Sequence, residues 1–150
     1  MTSSEEKFRT DWNILFIVWL IAAIGTLGSL FFSEVMEFAP CALCWYQRIF
    51  LYPMVITLAI GLFPLDKGAI KYSLPLAIGG WFVALYHNLL YYGIIPESLQ
   101  PCRQGVSCTE VYINLLGFIT IPMLSWMMFT VMIVLLVISK RAHREVVWVK

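Results

Sequence analysis

Four long apolar runs, broken by short polar stretches, cover most of this 150-residue chain. They lie at about 13–32, 45–63, 72–92 and 113–138. A helix needs roughly 20 mostly apolar residues to cross a bilayer, and each run is about that long. Backbone polar groups in lipid must be satisfied internally, so helices are the form such runs take. Short connections between successive runs favour antiparallel neighbours. The pattern therefore predicts an all-α membrane protein, a single domain over 1–150 with four transmembrane helices in an up-down-up-down bundle.

Prolines and glycines punctuate the runs. Pro40 suits the first turn of the second helix, where a missing N–H costs nothing. Pro53 and Pro122 are expected as kinks inside helices two and four, and Pro75 in the first turn of helix three. Gly79 and Gly80 offer a place for another helix to come close. Tyr91 and Tyr92 read as an interfacial anchor, with Gly93 as the helix stop. Two loops on one side of the membrane follow, at about 33–44 and 94–112. Within the second, Ser107, Cys108, Thr109 and Glu110 fit a capping box that would start helix four near Cys108.

Composition narrows the class. With 61% hydrophobic and 13% charged residues, the chain is not an ordinary soluble domain. A net charge of +1, with the basic residues dispersed, gives no footprint for nucleic acid. Eight of the ten Lys and Arg fall in segments that share one side: Lys7, Arg9, Lys67, Lys71, Lys140, Arg141, Arg144 and Lys150. The positive-inside rule puts both termini and the middle loop in the cytoplasm. The first run is longer than a signal-peptide core and has Glu5, Glu6 and Asp11 at its head, so it is expected to stay as a span.

The candidate chemistry sits in the two outer loops. All four cysteines are there: Cys41 and Cys44 at the head of helix two, Cys102 and Cys108 in the second loop. Disulfides persist on that side of a membrane. A thiolate at a helix N-terminus is favoured by the exposed N–H groups, so the Cys41/Cys44 pair suits redox exchange. Cys102 and Cys108 can close a small loop as a structural staple or take part in exchange. Arg48 lies one turn beyond Cys44, where an intramembrane arginine marks a functional site. It can hold a thiolate or a polar ligand, or snorkel to headgroups. His87 is the ionisable side chain in the apolar part of the third run, about 9 Å below its outer end at 1.5 Å per residue. It can face a polar ligand with Arg48 or bond the backbone of a neighbouring helix. The spacing C-x2-C, 57 residues, C-x5-C is a poor zinc pattern, and no metal is expected.

The run P-C-A-L-C-W-Y-Q-R at 40–48, four spans, a second cysteine pair and Leu116, Gly117 and Pro122 in the last span resemble the DsbB/BdbC family of disulfide-bond formation proteins. Cysteines only six positions apart in the second loop make the likeness greatest to the short-loop Gram-positive type. The resemblance implies a thiol:quinone oxidoreductase in the bacterial plasma membrane. Cys102 and Cys108 would take electrons from an extracytoplasmic thioredoxin-fold partner of the DsbA/BdbD kind. Cys41 and Cys44 would pass them to a membrane quinone, menaquinone or ubiquinone. Cys44 would face the quinone, with Arg48 binding it and His87 near its ring. Two alternatives share the architecture: a quinone reductase like vitamin K epoxide reductase, and a disulfide-stapled structural tetraspan. The former places its active pair at a later helix, so the order of motifs disfavours it.

Overall fold

Long apolar runs become long helices. The structure, a computed structural model, describes residues 3–63, 66, 68–96 and 120–147. Among these are four α-helices and no strand: α1 Ser3–Leu30, α2 Ala42–Leu62, α3 Gly68–Tyr91 and α4 Ile121–Val147. Segments of each, Arg9–Val35, Ala42–Leu62, Gly68–Tyr91 and Ile121–Arg141, are long and apolar enough to cross a membrane.

Each helix packs on its sequence neighbours, and α1 closes the ring against α4. Antiparallel pairing is visible in the cross-links. Arg48 near the start of α2 meets Ser29 near the end of α1. Thr57 late in α2 meets Ser73 early in α3 at 3.2 Å. Asn88 at the end of α3 donates to the Pro122 carbonyl at the start of α4, at 2.9 Å. The shared core contains Val18, Ala22, Met54, Leu58, Ala77, Ala84, Phe129, Met132 and Leu136, all fully buried. Ile24, Leu27, Ile56, Ile60, Phe63 and Phe82 point outward instead. In a membrane, lipid tails solvate such side chains, so an apolar exterior carries no penalty.

The helix ends follow local chemistry, with some departures from expectation. Phe31–Val35 continues α1 as a π-helical turn, so the first helix runs past its predicted end at 32. Such wide turns are frequent at functional sites. Cys41 is the N-cap of α2, which leaves Pro40 just outside the helix rather than in its first turn. Pro75 lies inside α3, because that helix begins at Gly68 and not near 72. Asp66 makes the earlier start possible, accepting from the Gly68 N–H at 2.8 Å. Pro53 is inside α2, as expected. Pro122 is not a mid-helix kink: α4 starts at Ile121, so the proline occupies the first turn, where no N–H is needed. Thr120 precedes it as a non-helical cap, its hydroxyl accepting from the Met123 N–H at 3.4 Å. The capping box around Cys108 and the predicted stretch 113–119 lie outside the described residues.

Gly93 stops α3 as predicted. Its φ of 71° is left-handed, a conformation that costs glycine little. The Ile94 N–H then reaches the Leu89 carbonyl and the Gly93 N–H the Leu90 carbonyl, both at 3.0 Å, in a Schellman turn. The Gly79, Gly80 pair also does what the pattern implied. A Cβ on Gly79 would strike the Phe50 ring of α2, and one on Gly80 the Phe129 ring of α4. Gly80→Val is therefore expected to destabilise the bundle by about 1–3 kcal/mol, the usual cost of overpacking. Denaturant unfolding in detergent measures it; an unchanged midpoint would mean the Phe129 ring moves aside freely.

Candidate functional site

The site forms where α2 begins. Because Cys41 caps the helix, its Sγ turns back to accept the Cys44 N–H at 3.4 Å. That turn brings the two sulfurs to 2.9 Å. Neither thiol stands out in water. Cys41 is 7% exposed and packs with Leu43 and Leu90, while Cys44 is half-buried. The cap is electrostatic as well as geometric, since N–H groups at a helix start favour a thiolate. The Cys41 thiol is lowered, chiefly by the hydrogen bond with Cys44, with burial opposing it and a hydrogen bond to His87 adding to it.

His87 is 3% exposed and belongs to this sulfur pair. Its Nε2 lies 3.9 Å from Cys41 Sγ and its Nδ1 accepts from Gln47 Nε2 at 3.1 Å. Both partners belong to the start of α2, one its cap and the other a residue of its second turn. Gln47 is held in turn by Ser125 of α4, whose hydroxyl donates to Gln47 Oε1 at 2.7 Å.

Arg48 is 8% exposed, so it does not reach out to headgroups. Its Nε donates to Ser29 Oγ and its Nη2 to the Ser29 carbonyl, both at 2.9 Å. The guanidinium also lies 5.1 Å from the centre of the Trp45 ring, which is outward-facing. A cation over an aromatic face is attracted by the ring quadrupole. Arg48 is thus anchored on α1, beside the π-helical turn.

These groups border one cavity of about 660 Å³ between α1, α2 and α4. Its walls are mainly apolar, including Ile21, Phe32, Phe38, Leu51, Met128 and Phe129. Polar side chains in its lining include Cys41, Cys44, Gln47, Arg48, His87 and Ser29. Gly25 and Gly28 give the α1 wall its depth. A Cβ on Gly25 would strike Met128 Sδ, whereas one on Gly28 would meet nothing within 4 Å. A concave apolar space with a few convergent polar groups is the usual form of a small-molecule site.

Cys41, Cys44 and His87 also bring two sulfurs and a ring nitrogen within 4.8 Å of one another. These donor types suit zinc, but His87 already has Gln47 on Nδ1 and Cys41 on Nε2. Cys102 and Cys108 lie outside the described residues. Of the six residues singled out in sequence, the structure brings Cys41, Cys44, Arg48 and His87 to one cavity. It adds Gln47, Ser29 and Ser125, which sequence reasoning missed. Gln47 carried a signal, lying one turn past Cys44 on the face that bears Arg48. Ser29 and Ser125 carried none, being small polar residues within apolar runs.

Fold and site together define a four-helix membrane protein with a dithiol set beside an apolar cavity at one end of the bundle. The family model for disulfide bond formation protein DsbB matches residues 10–139. The chain is 44% identical over 131 residues to disulfide bond formation protein C of Bacillus subtilis (strain 168), covering 87% of this chain and 95% of that one. It is 43% identical over 131 residues to a probable disulfide formation protein of Metapseudomonas resinovorans, covering 87% and 91%. A probable disulfide formation protein C of Halalkalibacterium halodurans is 40% identical over 133 residues, covering 89% and 95%. No solved structure matches. The chain belongs to the DsbB family of disulfide bond formation proteins, and is a multi-pass membrane protein with a role in disulfide bond formation.

Proposed function

We propose that the chain is a thiol:quinone oxidoreductase that reoxidises an extracytoplasmic thioredoxin-fold partner. One observation carries this reading: the Cys41 and Cys44 sulfurs border an apolar cavity whose few polar groups lie beside them. A quinone offers what such a cavity accepts, two carbonyl acceptors on a flat ring and an apolar tail. Arg48 and the second amide N–H of Gln47 can donate hydrogen bonds, His87 stands near the ring, and the apolar walls accommodate ring and tail. The quinone supplies the oxidising power; the chain supplies position and electrostatics.

The overall exchange balances. The partner's dithiol becomes a disulfide, releasing two electrons and two protons, and the quinone takes up both as hydroquinone. Thiol–disulfide exchange carries the electrons between them, each step a thiolate attacking a sulfur and another sulfur leaving with the electron pair. Cys102 and Cys108 receive the electrons first, Cys102 forming the mixed disulfide with the partner, and Cys41 and Cys44 take them next. Cys44 faces the quinone. The cysteine loops lie outside and both termini in the cytoplasm, consistent with the eight basic residues on the latter side.

The test mixes purified protein, a reduced thioredoxin-fold dithiol and menaquinone or ubiquinone, and follows quinone absorbance. Partner-dependent loss of oxidised quinone is expected. Gly28→Leu should raise the quinone KM about tenfold by filling the cavity, since about 1.4 kcal/mol corresponds to that factor. Quinone that stays oxidised in the presence of the dithiol would sink the proposal.

A further inference from the structure

We propose that Gln47 and Ser125 are positioning residues that hold His87 as a hydrogen-bond donor to Cys41, so that reduction of the inner pair leaves a stabilised thiolate on Cys41. The inference rests on the redox role proposed above, but its geometry involves no quinone.

Three hydrogen bonds join α4, the start of α2 and α3. Ser125 Oγ–H donates to Gln47 Oε1 at 2.7 Å. That turns the amide so that its NH2 faces His87 Nδ1 at 3.1 Å. A ring nitrogen that accepts an N–H must present a lone pair, so the proton of the neutral imidazole sits on Nε2. Nε2 is the atom 3.9 Å from Cys41 Sγ, and its N–H is aimed at the sulfur. The reverse amide orientation would put the ring proton on Nδ1 and turn a lone pair on the thiolate. Charge on Cys41 and the Ser125 bond thus favour one and the same arrangement, and each bond polarises the next. Gln47 and His87 are at most 9% exposed, so bulk water is a poor replacement for either bond.

The surroundings leave His87 as the group that tunes this charge from across the bundle. Among the described residues, the ionisable groups packed near Cys41 are Cys44 on α2 and Tyr86 and His87 on α3. Arg48 lies a turn further along α2 and is anchored to Ser29. Glu34 and Glu37, in the segment before α2, are solvent-exposed, and α4 contributes the neutral Ser125.

The consequence is thermodynamic. When an external dithiol reduces the Cys41–Cys44 disulfide, that S–S bond breaks and a new one forms in the reductant. The electron pair passes to the two sulfurs, and the reductant's protons go to these sulfurs or to solvent. Wherever Cys41 keeps its charge, one proton fewer is taken up. A reduced state stabilised in this way makes the disulfide a stronger oxidant. Gln47 and Ser125 thereby make the inner pair a better acceptor for the partner's electrons without touching a sulfur themselves.

Two measurements test it. With the other three cysteines replaced by serine, the pH dependence of Cys41 alkylation by iodoacetamide reports its thiolate. Gln47→Leu is expected to raise the midpoint by one pH unit or more, and Ser125→Ala by less. In protein lacking only Cys102 and Cys108, the Cys41/Cys44 equilibrium with glutathione should shift tenfold toward the disulfide in Gln47→Leu, about 30 mV more reducing. A midpoint and an equilibrium both unmoved by Gln47→Leu and by Ser125→Ala would overturn the relay. Loss of quinone turnover with these two readouts intact would instead strike the function proposed above.

Discussion

Cys44→Ser is expected to abolish quinone reduction, lowering turnover at least a thousandfold, while leaving the bundle folded. The substitution changes one atom in a half-buried side chain of the first turn of α2, so helicity and unfolding should barely move. Chemically it removes everything the cavity needs. A hydroxyl cannot join Cys41 in a disulfide, and it does not ionise at neutral pH to act as the nucleophile. Cys41→Ser should stop turnover equally but for another reason, since Cys44 then lacks the sulfur 2.9 Å away with which to re-form the bond. Mass-tagging separates the two. The Cys41→Ser protein should still label at Cys44, and the Cys44→Ser protein at Cys41. Turnover within a factor of ten of the parent in either variant would remove that sulfur from the electron path.

How far the sequence foretold this site depends on the kind of signal each residue carried. Hydrophobic run length is a local property, and it located four helices because nothing in a bilayer competes with it. Cys41 and Cys44 were legible for a similar reason, since a helix start can be read from the chain and the cap belongs to it. Helix ends were less so. Pro75 is interior because Asp66 starts α3 early, and Pro122 is in a first turn because Thr120 caps α4. Both outcomes hang on single polar side chains, one between two apolar runs and the other within the fourth.

Partner choice was the least legible part. His87 stood out as an ionisable residue in an apolar run, but only packing could select Cys41 and Gln47 over a quinone or a backbone carbonyl. Ser125 is separated from Gln47 by more than half the chain, and no local pattern links them. Arg48 was found by its charge, while its anchor, Ser29, needed the π-helical turn and the crossing of α1 over α2 to be seen.

That anchor shapes the effect expected of Arg48→Met, a rise in the quinone KM of about 10- to 100-fold with a smaller change in kcat. Nε and Nη2 donate to Ser29, two of the five N–H donors a guanidinium carries. The head borders the cavity, so a carbonyl oxygen bound there can take a charge-assisted bond from the same group. Such bonds contribute roughly 1.5–3 kcal/mol, which sets the range of the KM effect. Methionine keeps the apolar stem but loses both functions, the donor in the cavity and the tie to α1. Arg48→Lys should fall between, because an ammonium restores the charge but not the planar fork that spans Ser29 Oγ and its carbonyl. Ser29→Ala gives the control: it removes only the Oγ bond, so KM should rise less than in Arg48→Met. A KM unchanged in Arg48→Met, with stability alone reduced, would make the arginine a strut between α1 and α2 and leave quinone binding to Gln47 and the apolar walls.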